Sequence, residues 1–161
     1  MEAFEAFFER EYARVCRSLF VVLGDMPAAE EAAQEAFVKA WLRWPRVAAM
    51  ERPASWVYVV ASRQAFRARR RTLPDENGTT GAVSDVADAV VDRLAQQRRL
   101  VDVLTPRQRL VIVLRFHCDL RLDEIAEAAG TSLGTVKSTL HAALTRLRVD
   151  AMSEEQVRDG H

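Results

Sequence analysis

The segment from Asp123 to Ser138 constrains the fold of this chain more than any other. Ala126 is small enough for two helices to cross closely, Gly130 supplies a left-handed turn four residues later, and Val136 plugs the angle between the helices. Ser132 is placed to cap the second helix. A helical hairpin that merely packs is the plainer interpretation, but it requires none of these spacings. The pattern therefore predicts a helix-turn-helix.

The second helix of this motif has two different faces. Its predicted buried stripe consists of Val136, Leu140, Ala143, Leu144 and Leu147. Its outward face consists of Thr135, Ser138, Ala142 and Thr145, flanked by Lys137 and His141 on one side and by Thr139 and Arg146 on the other. Short uncharged side chains with a basic edge favour insertion into a DNA major groove, with Lys137 and Arg146 near phosphates. His141 alone is more typical of an ordinary surface histidine.

The rest of the chain also has helical periodicity, because its apolar residues recur at spacings of three and four. One stripe runs over residues 4–22, and Gly24 is placed to end that helix. Pro27 and Pro53 suit the first turns of a second and a third helix. Residues 105–108 combine a threonine N-cap, a proline and a capping-box glutamine. We expect an all-α protein.

Charge is segregated along the chain, although its 23 basic residues balance 23 acidic ones. Residues 63–72 carry five arginines and no acid, whereas residues 73–92 carry five acids, no base and several turn-forming residues. We therefore expect two small helical domains, at 1–72 and 93–150, joined by a flexible acidic linker at 73–92. An acidic tail at 151–161 follows the second domain, which contains the helix-turn-helix.

Composition and motifs exclude several classes of protein. With 161 residues, 49% of them hydrophobic, the chain can bury a core, which excludes a disordered tail. It has no apolar run of membrane-spanning length and its N-terminus is too acidic for a secretory signal, so we expect a cytoplasmic protein without membrane insertion. No phosphate loop, metal-spaced cluster or activated nucleophile indicates an enzyme, and we expect no cofactor or metal. Cys16 and Cys118 are expected to be structural thiols.

Two surfaces of the first half are candidates for binding. The third helix ends in five arginines, Arg63, Arg67, Arg69, Arg70 and Arg71, which favour phosphate contacts. Three aromatic residues nearby are candidates for stacking on unpaired bases: Trp44, Trp56 and Tyr58. Aromatic residues at helical spacing are more often core, and arginines at a helix C-terminus also complement the helix dipole, so both interpretations stay open.

The second helix presents an acidic and amide surface opposite Phe37 and Trp41. Its members are Glu30, Glu31, Gln34 and Glu35. Such a face is usually solvated, and docking of a basic partner is the sharper hypothesis. The local pattern alone does not choose between the two.

Taken together, these segments resemble the sigma factors of bacterial RNA polymerase, specifically the small two-domain extracytoplasmic-function group. Residues 29–41 resemble the polymerase-binding helix of that family, and residues 104–115 and 124–138 resemble its second domain. The resemblance implies a non-catalytic subunit that binds core RNA polymerase and directs promoter-specific transcription initiation. It also implies an anti-sigma factor as a partner, and a linker that runs through the RNA exit path of the polymerase.

The resemblance also implies roles for particular residues. Polymerase binding falls to Glu30, Glu31 and Gln34. The loop at 44–52 and the third helix are implied to contact the minus-ten element. The residues implied are Trp44, Arg46, Arg52, Trp56, Arg63, Arg67, Arg70 and Arg71. Contacts to the minus-thirty-five element fall to Thr135, Lys137, Ser138, Thr139, His141 and Arg146.

Four residues depart from the usual family pattern, and the first of them, Glu31, stands where the polymerase-binding helix usually has an aspartate. Arg63 stands where the third helix usually has an asparagine, so it concerns the minus-ten contacts. Thr139 and Ala142 stand where the recognition helix usually has arginines, and their presence implies weaker duplex binding or an altered sequence preference. The alternative function is a stand-alone helix-turn-helix transcriptional regulator that binds duplex DNA as a dimer. That hypothesis explains residues 105–148 but leaves the acidic and arginine-ended helices of the first half without a role.

Overall fold

The computed structural model describes residues 1–71 and 88–160, and over those ranges it contains helices and no strand. The elements are α1 (Phe4–Leu23), α2 (Met26–Leu42), α3 (Trp44–Ala48), α4 (Pro53–Arg71), α5 (Asp88–Val101), α6 (Pro106–Ile112), a π-helical continuation of α6 (Val113–His117), α7 (Leu122–Ala129) and α8 (Leu133–Asp159). The predicted all-α class is confirmed. Among the described residues, no helix combines the length and the apolar composition needed to span a bilayer.

The predicted helix boundaries in the first half depend on a glycine and two prolines. Gly24 follows α1 with φ of 73°, and its N–H donates to the carbonyl of Phe20 at 2.7 Å. Asp25 then caps α2, because its side chain accepts from the backbone N–H of Ala28 at 3.1 Å. Pro27 lies in the first turn of α2, and α4 begins at Pro53.

The helix-turn-helix in the second half also forms as its spacing predicts. Gly130 ends α7 with φ of 65°, and Val136 is fully buried between α7 and α8. The side chain of Ser132 caps α8 by accepting from the backbone N–H of Thr135 at 3.2 Å. The capping box at the start of α6 is complete, with both of its hydrogen bonds formed between Thr105 and Gln108.

One hydrophobic core runs through both halves of the described chain. In the first half α1, α2 and α4 pack on one another, and in the second half α6, α7 and α8 do the same. The two halves meet where α1 contacts α5 and α6 and where α4 contacts α7. Buried side chains from both halves therefore form a single cluster, including Phe7, Leu19, Val57, Leu110 and Ile125.

Two helices continue across the boundaries that the charge pattern predicts. Helix α5 begins at Asp88, so the last five residues of the expected linker are helical, and Leu94 of that helix is buried. Apolar residues at 90, 94 and 101 repeat at helical spacing and pack against the core, which the acidity of the segment obscured. Likewise α8 continues to Asp159, because no proline or glycine interrupts the expected tail before Gly160. The rest of the linker lies outside the described residues.

The expected loop at 44–52 is partly helical. Pro45 lies in the first turn of α3, so it begins a short helix as well as following the end of α2. Buried Val47 anchors this helix in the core. Residues 49–52 form the turn that leads into α4.

Candidate nucleic-acid and partner interfaces

The outward face of α8 is a continuous exposed strip. Thr135, Ser138, Ala142 and Thr145 are all exposed, as are Lys137, His141 and Arg146 at its edges, whereas Thr139 is half-buried. The hydroxyls of Ser138 and Thr145 donate to backbone carbonyls one turn earlier, at 3.0 and 2.9 Å, which leaves their oxygens outward as acceptors. The strip has the exposure and polarity of a major-groove reading helix.

The buried side of the same helix is narrower than the sequence predicts. Val136 and Ala143 are fully buried, and Leu140 and Leu147 are half-buried. Leu144, which the helical wheel placed in the buried stripe, is 36% exposed. The short helix α7 covers only part of α8, so a residue at the edge of the stripe stays in solvent.

The predicted docking surface on α2 is larger and more apolar than the sequence indicates. Glu31, Gln34 and Glu35 are exposed and Glu30 is half-buried, while Gln34 donates to the Tyr12 hydroxyl at 3.3 Å. Trp41, expected on the buried side with Phe37, is instead 59% exposed. Val38 and Leu42 beside it are 56% and 68% exposed.

These side chains follow one another along a single side of α2, because each of positions 34, 35, 38, 41 and 42 lies three or four residues after another position of the set that begins at 31. Ala33, Phe37 and Ala40 form the buried side of the same helix. The spacing of Trp41 with the exposed residues of α2 was the signal in the sequence that could have predicted its exposure to solvent. An exposed tryptophan within an apolar patch is typical of a protein-docking surface.

The aromatic candidates for base stacking occupy different environments. Trp44 packs edge-on against Phe4 at 5.5 Å between ring centroids, lies 5.0 Å from Phe7, and donates its indole N–H to the carbonyl of Glu2 at 3.0 Å. Tyr58 is buried. Both rings are therefore engaged in packing in this conformation. Trp56 is half-buried and lines a surface cleft.

The arginines of the first half differ in their contacts, and Arg63 is exposed although it is hydrogen-bonded. Arg46 and Arg67 are exposed, and the side chains of Arg70 and Arg71 lie outside the described part of the chain. Arg52 donates to Glu124 Oε1 at 3.0 Å and to the carbonyl of Asp119 at 2.6 Å. Arg63 donates to the carbonyl of Glu127 at 2.9 Å. The cleft that contains Trp56 is thus closed on one side by α7, a contact that the local sequence pattern does not reveal.

The two cysteines have the environments expected of structural thiols. Burial raises the pKa of Cys16 to about 11 and that of Cys118 to about 12. Both thiols therefore stay protonated at neutral pH, and the thiolate that oxidation requires is disfavoured.

Comparison with known proteins assigns both halves of the chain. The Sigma-70 region 2 family matches residues 7–73, and the Sigma-70, region 4 family matches residues 100–149. The RNA polymerase sigma-E factor of Streptomyces avermitilis is 33% identical over 94% of this chain and 87% of its own. The ECF RNA polymerase sigma factor SigK of Mycobacterium ulcerans is 31% identical over 91% and 84%, and SigW of Bacillus subtilis is 28% identical over the same shares. The chain belongs to the extracytoplasmic-function group of RNA polymerase sigma factors.

Proposed function

We propose that this chain is a promoter-specificity subunit that binds core RNA polymerase and directs promoter-specific transcription initiation, without catalytic activity of its own. The observation that carries this conclusion is the match of the two halves to sigma regions 2 and 4, in that order. The alternative hypothesis, a stand-alone regulator, leaves the first half of the chain without a role. Membership of the family gives it two: polymerase binding and promoter opening.

The exposed side of α2 is the surface we assign to the polymerase. Glu30, Glu31 and Gln34 supply charge and hydrogen bonding, and the neighbouring Trp41 supplies apolar area. Large aromatic anchors beside charged groups are typical of docking surfaces, since the aromatic ring contributes most of the affinity and the charges orient the partner.

The proposed promoter contacts divide between the two domains. In the first domain, phosphate contacts by arginines and stacking by Trp56 would offset the few kcal/mol that unpairing and unstacking a base cost. The assigned residues are Trp44, Arg46, Arg52, Trp56, Arg63, Arg67, Arg70 and Arg71. In the second domain α8 reads the minus-thirty-five element through Thr135, Lys137, Ser138, Thr139, His141 and Arg146. An anti-sigma partner that covers both domains is proposed on the resemblance alone.

Run-off transcription tests the function directly. Core polymerase from the source organism is supplied with sheared genomic DNA, with and without the chain, and the transcript starts are sequenced. New starts that share two spaced upstream elements are expected. If the chain binds no polymerase and yields no new start, the proposed function is wrong and the dimeric regulator is favoured.

The polymerase surface is tested by substitution. The triple variant Glu30→Ala, Glu31→Ala, Gln34→Ala should abolish binding to core polymerase in a pull-down, and Trp41→Ala should weaken it. Glu5→Ala, Glu9→Ala is the matched control, because it removes two exposed carboxylates from α1 and leaves α2 intact. Circular dichroism verifies that every variant keeps its helices. Unchanged binding by the triple variant would place the polymerase surface elsewhere.

A further inference from the structure

A surface pocket of about 420 Å³ lies between the first residues of the chain and the junction of α2 and α3. Phe4, Trp41 and Trp44 are the aromatic residues that line it, and Glu2 and Glu5 are the acidic ones. Pockets that hold small molecules in proteins typically have volumes of ~300–1,000 Å³. The pocket is therefore large enough for a small ligand, and none of the described residues that line it is a lysine or an arginine.

The two tryptophans contribute differently to this pocket. Trp44 is held in place, because its ring centroid lies 5.5 Å from that of Phe4 and 5.0 Å from that of Phe7, and its indole N–H donates to the carbonyl of Glu2 at 3.0 Å. Since that N–H is already used, Trp44 offers the pocket ring surface and no hydrogen-bond donor. Trp41 is 59% exposed, so a ligand can reach its ring without displacing any part of the core.

The two carboxylates of the pocket differ in their partners. Glu2 is paired with Arg10, and the hydrogen bond from Arg10 lowers the pKa of Glu2 below its ordinary value, so Glu2 is ionised at neutral pH. Glu5 is exposed and forms no ion pair with another described residue. The negative charge of Glu5 is therefore available to a ligand.

Aromatic rings beside an available carboxylate favour one class of ligand. A cation is attracted both to the face of an indole ring and to a carboxylate, and proteins recognise quaternary ammonium groups with aromatic residues arranged in this way. A nucleic-acid strand is disfavoured, because its phosphates would approach two carboxylates. An uncharged apolar ligand is also disfavoured, since it would remove water from the carboxylates and offer them no partner.

We propose that this pocket binds a small organic cation of the alkylammonium class, with the cation over the ring of Trp41 and near the carboxylate of Glu5. Trp44 forms the second aromatic wall, and Phe4 packs against that wall. Trp41 also belongs to the surface that the proposed function assigns to the polymerase. Binding of the cation to the free chain does not depend on that assignment.

The first test titrates two probes with the full-length chain: choline, and 3,3-dimethylbutan-1-ol as its uncharged analogue of the same shape. Proton NMR follows the methyl resonance of each probe. Because protons over the face of an aromatic ring are shielded, the N-methyl resonance of choline should move upfield as protein is added. We expect choline to bind at least about tenfold more tightly than the alcohol, since only choline carries the charge. Equal affinities, or no upfield shift, would overturn the proposal.

Two pairs of variants then locate the site. Trp41→Ala should weaken choline binding at least about tenfold, whereas Phe116→Ala, which removes an exposed aromatic ring elsewhere, should leave it unchanged. Glu5→Gln should weaken it at least about threefold, whereas Glu9→Gln, which removes an exposed carboxylate one turn further along α1, should not. If either control weakens binding as much as its partner, choline binds elsewhere and the proposal is wrong.

Circular dichroism verifies that each variant keeps its helices. If Trp41→Ala loses helix, Trp41→Leu takes its place, because leucine keeps apolar volume and removes the ring. Run-off transcription is carried out without choline, so it reports on the proposed function separately from the cation site.

Discussion

At the scale of single residues, Gly24 is required for two separate reasons. Its φ of 73° is left-handed, and a Cβ atom added there would lie 3.0 Å from the guanidinium carbon of Arg98. The left-handed conformation costs a non-glycine residue about 1–2 kcal/mol. Gly130 provides a comparison, because its φ is 65° and a Cβ there meets nothing within 4 Å.

We therefore predict that Gly24→Ala lowers the free energy of unfolding more than Gly130→Ala does. Strain is common to both substitutions, whereas only Gly24→Ala displaces Arg98 from the carbonyls of Val21 and Val22. Urea denaturation measures both losses. In an Arg98→Ala background the two substitutions should cost the same. Equal losses with Arg98 present would contradict the role given to that contact.

His117, whose Nδ1 shares a hydrogen bond of 2.8 Å with the Ser18 hydroxyl, gives the contact between the two halves a pH dependence. Burial, with a smaller contribution from the charge of Arg17, lowers the pKa of His117 below its ordinary value of 6.5. As pH falls through 6.5 the unfolded chain takes up the proton first, so the folded chain loses stability over the window below 6.5. Above 6.5 both states are neutral and the effect vanishes.

The measurement is the midpoint of urea unfolding at a series of pH values. Compared with a His117→Gln variant, the unaltered chain should lose more stability on acidification through that window. Glutamine can keep a hydrogen bond to Ser18 but does not titrate there. If the unfolding midpoints of the two proteins change with pH in the same way, His117 is not the group that causes the loss of stability.

At the scale of elements, the start of α6 depends on its capping box. The side chain of Thr105 accepts from the backbone N–H of Gln108 at 3.3 Å, and Gln108 Oε1 accepts from the backbone N–H of Thr105 at 3.1 Å. Thr105→Ala should lower the free energy of unfolding by about 1 kcal/mol, whereas Thr105→Ser should keep the cap. Thermal unfolding followed by circular dichroism distinguishes them, and identical losses would mean that the hydroxyl is not what stabilises this helix.

Local sequence chemistry explains why several elements could be predicted before any contact was known. Gly24, Pro53, Thr105 and Gly130 act on their own backbone or within one turn, so their effect does not depend on the rest of the fold. Side chains at the edge of a helical stripe are different. Leu144 repeats with the buried residues of α8, yet it is exposed because the short helix α7 covers only part of α8.

At the scale of the whole molecule, the segregated charge predicts a strong salt dependence of DNA binding. If all five arginines between residues 63 and 71 contact phosphates, raising salt from 50 to 200 mM should weaken their contribution on the order of 500-fold, because each contact releases a counterion. The affinity for promoter DNA should be measured at each salt concentration on the complex of the chain with core polymerase. Arg67→Ala should make the slope of log affinity against log salt shallower by slightly less than one. If the affinity for DNA does not change with salt concentration, these arginines do not contact phosphates.

The sequence by itself determined the helices, the helix-turn-helix and the two-part arrangement of sigma regions 2 and 4. The helices and the helix-turn-helix follow from periodicity, caps and turn residues, which act over a few residues along the chain, whereas regions 2 and 4 were indicated by the resemblance to a known family. Only the tertiary structure decided that α5 starts inside the acidic segment, that Leu144 stays exposed, and that Arg52 and Arg63 contact α7. Arg52 and Glu124 are 72 residues apart in the chain. A pairing of that kind depends on how whole helices pack, which no local pattern of charges encodes.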